Sequence, residues 1–289
     1  MLDVAFKIEP VQTSASLPQR LACENSIHLW LAFETEITDG ALLGRLGLLL
    51  SASERLQHQR FRGASDRHRY LVTRALVRTV LSRYVPIEPD EWVFASTAYG
   101  KPEIAASIRH RCPDAEGLCF NISHTDGLVV VAVSQRRALG VDVETLPLRA
   151  SPEEVVANFF SPSEREAFAR TPASIQAERF GEYWTFKESY IKARGRGLSL
   201  GLDRFTIHFR DERRVDLLNE APIGENDCDR WLFWQFRPTA KHLLAVCSES
   251  HHGVVPTITL MQAVPTQSEQ YLDLPLLRRS ARVSLPSDS

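Results

Sequence analysis

The sequence predicts an α+β fold made of two similar α/β lobes, and three observations support it. The chain has 289 residues, enough for one large domain or two small ones with proper cores. A weak internal repeat recurs at an offset of roughly 110 residues. The order strand, helices, strands also occurs twice. Because a half of about 110–120 residues buries little surface alone, we expect the halves to pack together with a ligand crevice between them.

The internal repeat is visible in three successive places. The segment SASERLQHQRF at 51–61 resembles SPSEREAFAR at 161–170. The strand-like SIHLWLAF before the first matches ALGVDVET before the second, and GLVVVAVSQ at 127–135 resembles KHLLAVCSE at 241–249. A single short match arises easily by chance, so the inference depends on all three keeping the same order. The predicted units are an N-terminal extension (1–25), an N-terminal lobe (26–137), a C-terminal lobe (138–265) and a flexible or accessory tail (266–289).

Helix and strand signals fit these lobes. Ser151 and Ser161 each stand at an N-cap, with Pro next and Glu three residues later, so two helices begin there. Apolar residues at helical spacing predict long helices over 65–84 and over 174–194, the second ending at Gly195. Strands are predicted at Leu128–Val133, Phe205–Phe209, Trp231–Phe236 and Leu243–Val246.

Composition narrows the class of protein. A formal charge of −2, from 34 basic and 36 acidic residues, gives no global field that would favour nucleic acid or anionic lipid. The most apolar stretch, ALLGRLGLLL, is too short to span a membrane, and the start has no signal-peptide pattern. Five scattered cysteines without a CxxC pair favour reduced thiols and a reducing, cytoplasmic location: Cys23, Cys112, Cys119, Cys228 and Cys247.

The first candidate site is Asp142 and Glu144 in the strand GVDVE. Residues two apart in a strand share a face, with Cα atoms about 6.5–7 Å apart. Two adjacent carboxylates repel each other unless a cation lies between them, and oxygen ligands alone favour Mg²⁺ or Mn²⁺ over zinc. The alternative is an edge strand with a solvated acidic face.

The second candidate site lies in the run Trp184–Lys192. Glu188 and Lys192 are four residues apart on one helical face, beside Thr185 and Ser189, and could hold a cation and a phosphate. The alternative is an ordinary surface pair, worth only about 0.3–0.5 kcal/mol.

The third candidate site is Ser123 with His124 in FNISHT, between a loop and a strand. Sequence neighbours are poorly placed as a nucleophile and its base, and the chain has no GxSxG elbow, so acyl-enzyme chemistry is disfavoured. Donors to an anionic ligand fit better, and a satisfied turn is the alternative. A lysine, Lys101, is also presented by the turn YGKP.

In this order, YGKP, FNISHT, GVDVE and WTFKESYIKARGRGLSL resemble the signature series of the 4′-phosphopantetheinyl transferases of the surfactin-synthetase-activating type. Each motif alone is common, but four in order over Tyr99–Leu200 are specific. The likeness extends loosely from Ser26 to Val246. It does not cover the first twenty or so residues or those after Val264.

The resemblance implies a monomer of two lobes related by a pseudo-twofold axis, a pseudo-dimer with coenzyme A in the cleft. Such enzymes transfer phosphopantetheine to a serine of an apo acyl- or peptidyl-carrier protein and release adenosine 3′,5′-bisphosphate. The family motif would make Asp142, Glu144 and Glu188 the ligands of Mg²⁺, or of Mn²⁺. Lys192 would bind the phosphates and could assist the leaving oxygen.

The resemblance also assigns the nucleotide end of coenzyme A. Ser123 and His124 would contact it, His124 at the 3′-phosphate, with Lys101, Arg62 and Arg69 nearby. We expect Glu188 to be the general base, with Glu144 as the alternative.

Two other functions stay open. One is a carrier-protein-binding homologue without catalysis, and the other is a metal-dependent phosphohydrolase. The sequence leaves open which carrier or pathway is served, whether fatty-acid, polyketide or nonribosomal-peptide synthesis, and whether acyl-coenzyme A is accepted.

Overall fold

The structure, a computed structural model, describes residues 25–219, 228–251 and 253–283. Seven α-helices lie in these ranges: α1 Gly40–Leu48, α2 Ala52–Arg60, α3 Ala64–Leu81, α4 Ala106–Arg111, α5 Pro152–Phe159, α6 Pro162–Ala169 and α7 Gln176–Arg194. Thirteen strands accompany them: β1 Ser26–Ala32, β2 Phe94–Ser96, β3 Pro102–Ile104, β4 Leu118–Thr125, β5 Leu128–Gln135, β6 Leu139–Thr145, β7 Phe205–Phe209, β8 Arg214–Asn219, β9 Trp231–Thr239, β10 His242–Glu249, β11 Thr257–Val264, β12 Ser268–Tyr271 and β13 Leu276–Ser280.

Two large sheets organise the molecule. The first has the strand order β12-β11-β1-β5-β4, and the second has the order β6-β10-β9-β13-β8-β7. One face of the first sheet packs against α1 and α3, while α7 packs on the second sheet. A third apolar cluster takes side chains from both sheets, among them Leu29, Val130, Val141 and Leu244. Each sheet is therefore buried on both faces, which explains the uninterrupted apolar runs in its strands.

The internal repeat corresponds to equivalent contacts in the two lobes. Ser51 and Ser161 cap α2 and α6. In each case the carboxylate of the Glu three residues later accepts a hydrogen bond from the serine N–H. The arginine after each Glu donates to the carbonyl oxygen of Leu50 or Phe160. The expected fold of two related α/β lobes is confirmed.

The two Glu residues of these capping boxes also hold the long helices. Glu54 accepts from Arg74 and Arg78 of α3, with Arg78 Nη2 at 2.6 Å. Glu164 accepts from Lys187 of α7 at 2.8 and 2.6 Å. A carboxylate buried beside a cation and backbone N–H groups fixes the angle at which each short helix meets its long neighbour.

The lobes join where the edge strands β4 and β6 meet. Alternate side chains of β4 accept the free N–H groups of β6: Asn121 Oδ1 from Val141 at 2.8 Å, Ser123 Oγ from Val143 at 3.2 Å, and Thr125 Oγ1 from Thr145 at 3.1 Å. Side chains thus replace the backbone ladder that would otherwise continue from one sheet into the next.

The C-terminal segment corrects the expectation of a flexible or accessory tail at 266–289. β12 pairs with β11 in the first sheet, and β13 lies between β9 and β8 in the second. A strand with partners on both sides belongs to the sheet, so the expectation is wrong for 268–280. The sequence of this segment alternates short apolar and basic stretches without the two-residue period of a strand, so neither strand was predicted. Residues 284–289 lie outside the described residues, as do 1–24 of the predicted N-terminal extension.

Other expectations differ in detail. FNISHT lies wholly within β4, not partly in a loop, and Ser151 donates its hydroxyl proton to Glu153 without accepting a helix N–H. Helix α7 does end at Gly195, whose φ of 64° is left-handed. The four cysteines within the described residues are free thiols, and Cys23 lies outside them. None of the described helices combines the length and apolar character needed to cross a membrane.

Candidate functional site

The acidic strand β6 and helix α7 meet at the centre of the candidate site. Val141 and Val143 point into the core between the sheets, so Asp142 and Glu144 alternate onto the opposite face, on which α7 packs. A Cβ atom on Gly140 would lie 2.0 Å from the carbonyl oxygen of Ser189 in α7. The missing side chain at this position lets the helix lie directly on the strand.

Lys192, Asp142 and Ser123 form the best-defined cluster at this contact. Lys192 Nζ lies 2.6 Å from Asp142 Oδ1 and 2.9 Å from Ser123 Oγ. The serine hydroxyl in turn donates to Asp142 Oδ1 at 3.1 Å. Asp142 is 3% exposed, and its second oxygen, Oδ2, is buried without a hydrogen-bond partner in the part of the chain that the structure describes. The charge at this position is therefore balanced by Lys192, while one carboxylate oxygen remains unused.

The negative charge of Asp142 acts on both Glu144 and Glu188. Burial, followed by the negative charge of Asp142, raises the pKa of Glu144 to about 7 and that of Glu188 to about 7. Lys192 opposes both shifts, and the Trp184 side chain hydrogen-bonds Glu144. Glu144 and Glu188 thus interact electrostatically with Asp142, and near neutral pH the free protein holds these two glutamates partly protonated.

A cleft of about 390 Å³ opens next to this cluster. Ser123, His124 and Lys192 line it from β4 and α7, and the first-lobe helix α3 contributes Arg69 and Tyr70 among others. Cations from both lobes therefore face one space, a suitable environment for a polyanionic ligand.

Arg69 is held firmly at the rim of this cleft. Its Nε donates to Glu34 Oε1 at 2.9 Å and its Nη2 to Asp126 Oδ1 at 2.8 Å. His124 is exposed nearby, and partial desolvation lowers its pKa, with further lowering by the positive charges of Arg69 and Lys192. The imidazole is thus largely neutral near pH 7, and an anion bound beside it would favour its protonation.

Lys101 and Arg62 lie elsewhere. Lys101 Nζ donates to the carbonyl oxygens of Leu139 at 3.0 Å and of Lys192 at 2.7 Å, and burial lowers its pKa. This lysine ties the start of β6 to the last turn of α7, where a cation suits the helix dipole. Arg62 is exposed between α2 and α3 and is outside the residues that line the cleft.

Sequence reasoning missed several residues of the site. Tyr70 and Thr73 line the cleft from α3, the helix that carries Arg69, and Trp184 contacts Glu144. Helical spacing from Arg69 could have identified Thr73, which lies four residues further along the same face. By contrast, Thr185 and Ser189, expected beside Glu188, are fully buried and donate to carbonyls within α7.

The carboxylates around Asp142 fit a divalent cation in part. In the described residues no group of three or more His, Cys, Asp or Glu side chains has an arrangement ready to hold a metal. Two features nevertheless fit such an ion. Asp142 Oδ2 has no hydrogen-bond partner among the described residues, and burial, followed by the negative charge of Asp142, raises the pKa values of Glu144 and Glu188. Hard carboxylate oxygens are also the preferred donors of Mg²⁺.

Comparison with known proteins agrees with the geometry. Residues 138–247 match the model of the 4′-phosphopantetheinyl transferase superfamily, and residues 43–136 match that of the 4′-phosphopantetheinyl transferase N-terminal region. A 4′-phosphopantetheinyl transferase of Bacillus subtilis is 32% identical over 204 residues, covering 71% of this chain and 84% of the relative.

Two further relatives show similar likeness. The 4′-phosphopantetheinyl transferase Sfp of Bacillus subtilis strain 168 is 33% identical over 180 residues, or 62% of this chain and 74% of Sfp. The transferase HetI of Nostoc is 30% identical over 186 residues, or 63% and 74%. Enzymes of this type transfer phosphopantetheine from coenzyme A to carrier proteins. The chain therefore belongs to the 4′-phosphopantetheinyl transferase superfamily and is a transferase of this type.

Proposed function

We propose that the cleft between the lobes binds coenzyme A and presents its diphosphate to a serine of an apo acyl- or peptidyl-carrier protein. The observation that carries this proposal is the cluster of Lys192, Asp142 and Ser123 at one side of the cationic cleft. Serine oxygen forms a bond to the phosphorus that bears the pantetheine arm. The bond from that phosphorus to the bridging oxygen breaks, and adenosine 3′,5′-bisphosphate leaves.

The nucleotide end of coenzyme A would lie toward α3. His124 would meet the 3′-phosphate, and its exposure among the residues that line the cleft supports this role. Arg69 lies beside His124, but it already forms ion pairs with the carboxylates of Glu34 and Asp126. We therefore assign Arg69 mainly to shaping the rim. Lys101 and Arg62 stay expectations from the family motif, with the ammonium group of Lys101 committed to backbone carbonyls.

Asp142, Glu144 and Glu188 would hold Mg²⁺, with Mn²⁺ as an alternative. A bound divalent cation would neutralise charge on the diphosphate oxygens and help to align them. The unpartnered Oδ2 of Asp142 and the mutual repulsion of the three carboxylates support this donor set.

Protein side chains would supply the remaining chemistry. Lys192 would bind the phosphates and stabilise charge on the leaving oxygen, and its position among the residues that line the cleft supports this role. Glu188 would accept the proton of the attacking serine hydroxyl, and Glu144 is the alternative base. Both carboxylates are only partly buried and so stay accessible to an incoming hydroxyl.

The working form is proposed to be a monomer in the cytoplasm. One chain contributes both walls of the cleft, so a second copy is not needed to complete it. The free thiols of the four described cysteines fit a reducing compartment.

The test is incubation of the protein with coenzyme A, Mg²⁺ and a panel of apo carrier proteins. We expect a carrier to gain the mass of one phosphopantetheine group, and a carrier with alanine in place of its reactive serine to gain nothing. Free phosphopantetheine without carrier modification would indicate a phosphohydrolase. No turnover with any carrier would indicate a binding homologue, and either result would contradict the proposal.

A further inference from the structure

The turn between β4 and β5 is hydrogen-bonded to both lobes. Asp126 and Gly127 form this turn, with Gly127 at a left-handed φ of 87°. From the first lobe, Glu34 Oε1 accepts a hydrogen bond from the Gly127 N–H at 3.0 Å. From the second lobe, His242 Nε2 donates to the carbonyl oxygen of Asp126 at 2.8 Å. The turn therefore has a fixed position relative to each lobe.

The surroundings of His242 determine which ring nitrogen carries the proton. A carbonyl oxygen only accepts hydrogen bonds, so Nε2 must carry the proton that it shares with Asp126. In the neutral ring, Nδ1 then accepts a hydrogen bond from the Thr239 hydroxyl at 2.8 Å. His242 is 8% exposed, and a Cβ atom on Gly127 would lie 3.6 Å from its Cε1. The ring thus packs against the turn as well as bonding to it.

Two side chains of the cleft are connected to this turn. His124 lies two residues before Asp126, at the end of β4, and Arg69 Nη2 donates to Asp126 Oδ1 at 2.8 Å. Both His124 and Arg69 are among the residues that line the cleft. A displacement of the turn would therefore move His124 through the chain and Arg69 through its ion pair.

We infer that His242 is a positioning residue for the 3′-phosphate of coenzyme A, because its bond to the Asp126 carbonyl holds His124 and Arg69 in place. The inference rests on the proposed function, which puts the 3′-phosphate at His124. His242 itself is outside the described residues that line the cleft, so it acts through the turn and not by contact. Groups held in place before binding lose less freedom when the ligand arrives. Loss of the bond should therefore weaken recognition of the 3′-phosphate selectively.

Two amide side chains can separate the roles of the two ring nitrogens. The amide nitrogen of His242→Gln can take the place of Nε2 and donate to Asp126, whereas that of His242→Asn reaches only the place of Nδ1. His28→Asn is the matched control, since His28 also lies in a strand, has its Nδ1 3.0 Å from the Tyr84 hydroxyl, and is outside the described residues that line the cleft. Should His242→Asn fail to fold, His242→Phe keeps the bulk of the ring and also lacks the donor.

The experiment compares adenosine 3′,5′-bisphosphate with adenosine 5′-monophosphate, which differ only in the 3′-phosphate. Calorimetry gives the Kd of each nucleotide, and carrier modification gives kcat and the KM for coenzyme A. For His242→Asn we expect the Kd of the bisphosphate and the KM to rise about tenfold, the size of one lost hydrogen bond to a charged group. The Kd of the monophosphate and kcat should stay within twofold. His242→Gln should recover most of the affinity, and His28→Asn should match the wild type.

Three results would overturn the inference. The first is equal weakening of both nucleotides, or an unchanged Kd of the bisphosphate, in His242→Asn. The second is the same loss in His28→Asn, which would reflect a general loss of stability. The third is a wild type that binds both nucleotides equally, because no contact to the 3′-phosphate would then exist. Failure of the wild type to modify any carrier would contradict the proposed function, while the two Kd values would still decide the role of His242.

Discussion

Removing the charge of Lys187 should destabilise the C-terminal lobe more than any surface substitution. Its Nζ lies 2.8 and 2.6 Å from the two carboxylate oxygens of Glu164 and 3.0 Å from the carbonyl oxygen of Phe205. Both side chains of the ion pair are 0% exposed. Lys187→Met keeps the length of the side chain and leaves the Glu164 carboxylate without its cation.

The expected cost follows from this burial. Breaking a fully buried ion pair costs about 3–5 kcal/mol, a large part of the about 5–15 kcal/mol that stabilises a typical protein. An exposed pair on α6, Glu166 with Arg170 at 3.0 Å, gives the matched control. Glu166→Gln should cost less than about 1 kcal/mol.

The loss of stability caused by Lys187→Met should also depend on pH. Burial raises the pKa of Glu164, and Lys187 opposes this rise. Without the lysine, the pKa of Glu164 in the folded state rises further above its unfolded value. At pH values below the unfolded pKa, the protonated Glu164 carboxyl therefore contributes stability to the Lys187→Met variant. That gain is lost as pH rises through the folded pKa. The deficit relative to the wild type should therefore be small near pH 4.5 and grow toward neutral pH.

Urea denaturation followed by circular dichroism measures the free energy of unfolding for Lys187→Met, Glu164→Gln and the double variant. The destabilisation of the double variant should be about 2 kcal/mol smaller than the sum of the destabilisations of the two single variants. Additive costs within about 0.5 kcal/mol, or a cost of Lys187→Met equal to that of Glu166→Gln, would refute the reasoning.

Four further outcomes are expected. Gly140→Ala should force α7 off β6, costing at least about 1–3 kcal/mol by thermal denaturation and most of the carrier-modification rate; normal activity would show that the helix can shift freely. Truncation after Val264 removes β12 and β13 and should abolish cooperative unfolding by calorimetry, whereas a folded, active product would contradict the observed pairing. Glu188→Gln should lower kcat by about 10²–10⁴ with an unchanged Kd for adenosine 3′,5′-bisphosphate, and near-normal turnover would remove this residue from the site. By NMR, His124 should titrate below its usual pKa of 6.5 and shift upward with the nucleotide bound, so affinity should rise as pH falls; an unmoved pKa would place the phosphate elsewhere.

The sequence predicted those parts of the fold that depend on short-range chemistry. The capping box beginning at Ser161 and the stop at Gly195 were recognisable because neighbouring residues determine them. Ser151, which shows the same pattern, precedes a helix without accepting a hydrogen bond from its N–H groups. The place of β13 between β9 and β8 was missed, since its partners lie far away in the chain and its residues show no clean alternation.

The candidate site was predictable in its residue types and less so in its contacts. Carboxylates on one face of β6 followed from the two-residue period of a strand. The commitment of Lys101 to backbone carbonyls and the hydrogen bond from Lys192 to Ser123 depend on how α7 packs at the junction of the lobes. Spacing within either motif carries no information about such contacts.

The order of strands in the sheets also governs when the chain can complete its structure during synthesis. The strand β11 pairs in parallel with β1 but leaves the ribosome about 230 residues later, a delay of tens of seconds at about 5–20 residues per second. Until then the nascent N-terminal half exposes an unpaired edge at β1, which is a template for association with other chains. Chaperones that shield such edges should therefore raise the yield of this protein more than they raise that of a protein whose first sheet closes early.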